Sequence, residues 1–430
     1  MKISWFSVIK FTPAAVCAAL AVIATPWFIE RYIALDHRLS KPLPFIIAAS
    51  LFAVSTIFLI ITACRTRHER ARIRPRSVAF TAITVVVSTV LCMIGAEVFV
   101  RTAVDPYRVF NGDTWWEYRW RELHTAPGEE SITDSRYGFD RYDPRFGWRP
   151  RADYSGDGVR TNSMGIRADR EFAVDHPSGD TTRIVVIGDS YTWGERVANG
   201  EPYADRLAEL LPDAEVINLG VHGYGTDQQF LYLRDFGLRF EPDLVILGFF
   251  DLDIDRNILA FRDYAKPRFE IDEKGALALT NVPVPSPGEI LSRKQKLPRS
   301  YLVELARKAF NTHIGRTVFF ERQERCKRRL TRAILDQTRR ETKNAGAELL
   351  LVFIPWSIDE QLRSVEGLLA DWAGTSGTPF LNLRENFEAL PREKTDRLYG
   401  DPGEGGHWTP LGHRAAAEAI ASMILEKKLL

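Results

Sequence analysis

The chain has 430 residues, 45% of them hydrophobic and 11% aromatic, with a formal net charge of +1. That length exceeds one average domain, and the apolar content supports a sizeable core. A near-neutral balance argues against nucleic-acid binding as the main task.

Three apolar stretches open the chain, at residues 11–29, 43–64 and 78–100. Each is close to the ~20 residues a helix needs to cross a bilayer. The first carries Pro13 and Pro26 and could pass for a signal peptide. Two further spans follow it, and no small-residue cleavage site leads into a polar domain. Between the second and third spans, residues 65–76 hold six arginines. Placed there, the run reads as a cytoplasmic loop under the positive-inside rule. The N-terminus is then inside, and everything after Arg101 lies outside the cytoplasm. Glu97 and Arg101, four apart at the end of the third span, are expected to pair. The bilayer is therefore an expected partner.

Residues 102–180 show little periodicity and are rich in Trp, Tyr, Arg, Asp and Gly. They read as a connecting segment that packs on the next domain, and its aromatics suit a membrane interface, an edge cover or a sugar platform. From residue 181 to 430, short apolar runs alternate with helical patterns. Strands are expected at 184–187, 215–219, 244–247, 348–354 and 379–383. Helices are expected at 203–211, 227–238, 299–344, 358–372 and 411–427, with a less regular insertion at 255–297. This alternation predicts a parallel sheet covered on both faces, a three-layer α/β domain. Of the four cysteines, only Cys326 lies in this soluble part, so no disulfide forms within it. No Cys/His cluster has zinc spacing, and no metal or organic cofactor is implied.

Four blocks fall where loops leave this sheet. Gly188-Asp189-Ser190 ends the first strand, at the sheet edge where open α/β folds bind ligands. Asn218 to Gly225 ends the second, and its glycines allow close backbone approach. Asp251-Leu252-Asp253 ends the third. A late block runs from Asp401 through Glu404 and His407 to His413. A serine hydroxyl needs a neighbouring base, a histidine suits that task, and a carboxylate fixes the imidazole. His413, at the start of the last helix, reads as a packing or capping residue.

In this order the blocks resemble the SGNH (GDSL-type) hydrolase superfamily, over residues 145–430. The segment from Gly147 to Arg167 looks like that of membrane-attached bacterial members. The resemblance implies an SGNH-hydrolase-like domain after three transmembrane helices, in a bacterial inner membrane with the domain periplasmic. It implies acyl transfer through Ser190, with His407 as base and Glu404 or Asp401 as its orienting acid. Ser190 and Gly223 would supply backbone oxyanion donors, and Asp189, His222, Asp251 and Asp253 would line the pocket. The family's third block usually supplies an asparagine, and this chain has Asp251 and Asp253 there; Asn162 and Asn257 are candidate substitutes. The expected substrate is an acylated glycan or lipid-linked molecule of the cell envelope. The rival reading is a non-catalytic binding subunit beside envelope-polysaccharide assembly proteins.

The topology predicts that a reporter fused after residue 430 is active outside the cytoplasm. Reporter activity confined to the cytoplasm would overturn it.

Overall fold

The computed structural model describes residues 75–125, 138–176, 181–313, 319–358, 363–401 and 406–430. The two expected spans at 11–29 and 43–64, and the arginine loop up to residue 74, lie outside them. The chain divides into two units, Met1–Asn111 with Lys296–Phe319, and Gly112–Gln295 with Phe320–Leu430.

In the first unit the third expected span falls within a helix, Pro75–Ala103. Among the described residues no helix is long and apolar enough to cross a membrane. Glu97 and Arg101 pair at 2.6 Å. Glu97 also accepts from the backbone N–H groups of Tyr301 and Leu302, at 2.8 and 2.9 Å, and from the Ser300 hydroxyl. Those N–H groups open the helix Tyr301–His313, where first-turn donors have no helical acceptor. The carboxylate is therefore a helix cap as well as an ion-pair partner.

The second unit is built on five strands: β1 Thr182–Ile187, β2 Ala214–Asn218, β3 Leu244–Phe250, β4 Glu348–Ile354 and β5 Phe380–Asn382. They form one parallel sheet in the order β5-β4-β3-β1-β2. Alternate side chains explain why the strands read as unbroken apolar runs. Val185, Ile187, Val245, Leu247, Leu349 and Leu351 face the helices Phe319–Asn344 and Arg363–Ser376 through Ile334, Leu335, Leu368 and Leu369. Ile184, Val186, Ile246, Leu350 and Val352 face the helices Tyr203–Leu210 and Pro410–Lys427 through Leu207, Ile420 and Ile424. Each such buried aliphatic side chain contributes roughly 1.5–3 kcal/mol.

The stretch that looked irregular forms a helix, Gly112–Thr125, and two small hairpins. Trp120, Phe146, Trp148, Ile166 and Phe172 from it belong to the main core. An edge cover was one of the expected roles of these aromatics; which of them enter the core was not legible, because burial of a lone Trp leaves no periodic trace. The insertion at 255–297 contains an antiparallel hairpin, Arg268–Ile271 with Leu277–Thr280.

Where β1 and β2 end, backbones nearly touch. A Cβ added to Gly220 would lie 2.3 Å from the Trp193 nitrogen and 2.6 Å from the Thr192 carbonyl carbon. Neither can yield without moving the turn that carries Ser190. Gly220→Ala should lower stability by ~1–3 kcal/mol or more, read from the urea midpoint. It should also reduce Ser190 reactivity toward a fluorophosphonate; an unchanged midpoint and labelling rate would refute the close approach.

Candidate active site

Ser190 stands at the first position of a one-turn helix, Ser190–Trp193, directly beyond β1. Asp189 caps that turn, accepting from the Tyr191 N–H at 3.0 Å. Gly194 closes it in the left-handed region at φ 87°. Asn218 donates to the Thr192 carbonyl at 2.9 Å, which ties the turn to the end of β2. Arg167 clamps it from the other side, donating to the carbonyls of Trp193 and Gly194 at 2.8 and 2.6 Å.

His407 reaches this turn from a loop pinned on both sides. Gly400 donates to the His407 carbonyl at 2.8 Å, and Thr409 donates to the Leu398 carbonyl at 2.9 Å. Trp408, fully buried, anchors the loop against Tyr191, Tyr203 and Phe387. The Tyr191 ring lies 5.0 Å from the imidazole and 4.8 Å from Phe250. The result is a His407 Nε2 to Ser190 Oγ distance of 2.9 Å, within reach for proton transfer. Ser190 keeps 8% of its surface exposed, enough for a reactant to reach a group otherwise enclosed.

Burial holds the His407 imidazole below its ordinary pKa, outweighing the Asp189 charge that raises it; Arg256 and Arg196 add to the lowering. The ring is thus neutral at physiological pH and able to accept a proton from Ser190. Its Nδ1 is buried and has no hydrogen-bond partner among the described residues. Glu404, one of the two expected orienting acids, lies outside those residues. Asp401 is exposed, and its carbonyl accepts from the Gly406 N–H at 3.1 Å.

Residues 186–269 match the GDSL-like Lipase/Acylhydrolase family. That match runs from the end of β1 into the strand Arg268–Ile271 and includes Ser190. Parts of the chain are similar to solved structures. The lipase/acylhydrolase from Enterococcus faecalis is 15% identical, covering 57% of this chain and 96% of that one, at a TM-score of 0.35. An acetyl-xylooligosaccharide esterase from Geobacillus Stearmophilus is 14% identical, covering 57% and 95%, also at 0.35. TesA is 13% identical, covering 58% and 100%, again at 0.35. Scores this low say nothing about substrate. No match was found among curated protein sequences. The family match ends well before His407, so geometry alone brings that residue to Ser190.

The other expected residues are placed as follows. Gly223 is in the left-handed region at φ 75°, and an added Cβ would lie 2.4 Å from Asp263 Oδ2 and 2.6 Å from Arg262 Nη1. Only glycine fits there. His222, expected to line the pocket, is instead buried against Phe139, with its carbonyl accepting from the Trp148 indole at 3.0 Å and its Nε2 3.7 Å from Asp140. Asp251 is buried at the end of β3 and adds to the upward push on the Tyr191 and Tyr399 hydroxyls. Asp253 is not a pocket wall either. It accepts from the Gln229 amide at 2.9 Å and the Phe250 N–H at 3.2 Å, and pairs with Arg256 at 3.0 Å. Burial, reinforced by the nearby Asp189 charge, pushes its carboxyl up.

The candidate substitute amides are both spent elsewhere. Asn162 accepts from the N–H groups of Met164 and Ile166 and donates to the Arg170 carbonyl. Asn257 accepts from the Asp227 N–H and donates to Thr331. Arg256 is the site residue the sequence reading missed. Its Nη1 lies 2.7 Å from Asp189 Oδ2, and Asp189 is the immediate neighbour of Ser190. The i, i+3 spacing of Asp253 and Arg256 at a strand exit was the available signal.

The lowered His407 pKa fixes the sign of a pH profile. Protonated imidazole cannot accept the Ser190 proton, so kcat/KM should fall as pH drops through that pKa. The inflection should lie below the ordinary histidine value of 6.5. An inflection at or above that value would contradict a desolvated, neutral base.

Proposed function

We propose that this chain is a membrane-anchored serine esterase, or an acyltransferase using the same intermediate. The observation that carries the reading is the 2.9 Å contact between Ser190 Oγ and His407 Nε2 at the end of β1. Ser190 Oγ attacks the acyl carbonyl while its proton passes to His407, and the carbonyl electron pair moves onto oxygen. The tetrahedral intermediate collapses by breaking the bond to the leaving oxygen, which takes the proton back from His407. An acyl-serine remains. Water or a second hydroxyl then repeats the sequence and releases an acid or a new ester. The N–H groups of Ser190 and Gly223 take the developing negative charge, and Glu404 or Asp401 orients the imidazole.

The membrane anchor is part of the same proposal. Supporting it are the three apolar stretches, the intervening arginines, and the exposed Ile83, Val86, Val87, Val90 and Ile94 at helical spacing. With the hydrolase unit on the periplasmic face of a bacterial inner membrane, the substrate is an O-acylated envelope glycan or a lipid-linked precursor. Envelope-polysaccharide assembly proteins are the matching partners. Acetylated xylan-derived sugars are what the similar Geobacillus esterase is named for. A non-catalytic binding subunit is the second reading, favoured by Phe250-Asp251 at the end of β3, where no side-chain amide is offered.

The test separates the two. Ser190→Ala and His407→Ala should each remove nearly all hydrolysis of an aryl acetate and all fluorophosphonate labelling. The double variant should be little worse, because the pair acts as a unit. Glu404→Gln should lower kcat while leaving some activity, and Asp401→Asn should do less. Full activity in Ser190→Ala would sink the catalytic reading and promote the binding subunit.

A further inference from the structure

We propose that Arg256 is a third oxyanion donor, filling the place left by the absent side-chain amide. The inference rests on the acyl-transfer reading above and names a further residue that touches the reacting atoms.

Arg256 is buried, yet its bonding is lopsided. All three of its hydrogen bonds leave from Nη1, to Asp189 Oδ2 at 2.7 Å, the Tyr224 carbonyl at 2.9 Å and Asp253 Oδ1 at 3.0 Å. A guanidinium has five N–H groups. Those on Nε and Nη2 meet no acceptor among the described residues. A purely structural clamp would present its fork to a carboxylate through two nitrogens. Here one nitrogen carries the framework and the other two are left over. Neither nitrogen is among the fully enclosed atoms without a partner, so both are open to an acceptor that arrives from outside the chain.

The position fits an acyl oxygen. Asp189 Oδ2 is 3.5 Å from Ser190 Oγ and 2.7 Å from Arg256 Nη1, so that nitrogen of the guanidinium is at most about 6 Å from the nucleophile. The guanidinium carbon lies 5.0 Å from the Phe250 ring centre, at the end of the strand whose exit loop should have supplied the amide. Asn162, Asn257 and Asn218 each hold their amide in hydrogen bonds within the fold. The same location answers the problem of Asp251 and Asp253. Carboxylates near a developing oxyanion disfavour it, and a guanidinium held between Asp189 and Asp253 offsets part of their charge and offers donors in their place. The chemical step is unchanged: the electron pair that leaves the carbonyl bond comes to rest on an oxygen facing Arg256 as well as the backbone N–H groups.

The experiment uses the full chain and a fluorophosphonate, with p-nitrophenyl acetate as substrate. Arg256→Lys keeps the charge that Asp189 and Asp253 require but offers no second edge. Its acylation rate should fall ~10²-fold, the scale of losing one oxyanion donor. Phosphonylation of Ser190 should slow in parallel, with KM changed less than about threefold, because ground-state binding does not use the lost donor. A crystal structure of phosphonylated wild type should place a phosphonyl oxygen about 3 Å from Arg256 Nε or Nη2. That measurement decides the matter if Arg256→Lys does not fold. Acylation of a folded Arg256→Lys within about threefold of wild type, or a phosphonyl oxygen bonded only to backbone N–H groups, would overturn the proposal. Wild type that is never labelled at Ser190 would refute the acyl-transfer reading itself, and Arg256 would then be a structural cation.

Discussion

Asp189 is the residue on which the site depends. Its side chain is fully buried, and a buried carboxylate must be matched by donors. It is matched by the Tyr191 N–H, which sets the turn, and by Arg256, which brings in the exit of β3. It also lies 3.5 Å from Ser190 Oγ and acts electrostatically on His407. One side chain thus links the ends of two strands, the nucleophile and the base. It is also why the second residue of Gly-Asp-Ser has a physical role beyond marking a motif.

Most of the α/β architecture was legible before any coordinates. The strand at 348–354 coincides with β4, and the others differ at their ends. Parallel strands buried on both faces must be apolar at every position, so β1, β3 and β4 stand out against the helices between them. β5, only Phe380–Asn382, is an edge strand and gives the weakest signal. The connecting segment was illegible for the opposite reason. Its contribution to the core comes from isolated large side chains such as Trp120 and Trp148, held by short hairpins rather than by repeating patterns. Glu97 shows a third kind of limit. Its pairing with Arg101 is a local, four-residue relation; its capping of a helix two hundred residues away is not.

In the site, the residues legible from sequence are those whose chemistry needs a fixed residue type: a serine at a strand exit and a histidine near the last helix. His222, Asp251 and Asp253 sat in the right blocks, yet a block defines a loop and not the direction of each side chain. Asp253 turns into the interior because Gln229, the Phe250 N–H and Arg256 together satisfy it there. His222 turns toward Phe139 because the hairpin that carries Trp148 closes over it. The His222 outcome depends on residues more than 70 positions away, and the Asp253 outcome on Gln229 of another element, which no local pattern reveals.

The charged cluster itself bears on function. Replacing a buried ion-pair network by well-packed apolar groups is often neutral or stabilising, by ~1–4 kcal/mol, so such a network is weak evidence for stability alone. The core around it shows that this chain fills buried space with aliphatic side chains wherever it can, as Val185, Val245 and Leu351 do. Asp189, Asp253 and Arg256 interrupt that rule at the C-terminal ends of β1 and β3, next to the serine that a histidine approaches at 2.9 Å, as buried Arg183 does at the start of β1. The cost in desolvation at the strand ends beside Ser190 is in keeping with the proposed acyl transfer, which needs a site that stabilises transient charge. In the proposed mechanism two backbone N–H groups would provide dipoles, and a guanidinium tethered by carboxylates would add donors already oriented, with no reorganisation left to do when the oxyanion forms.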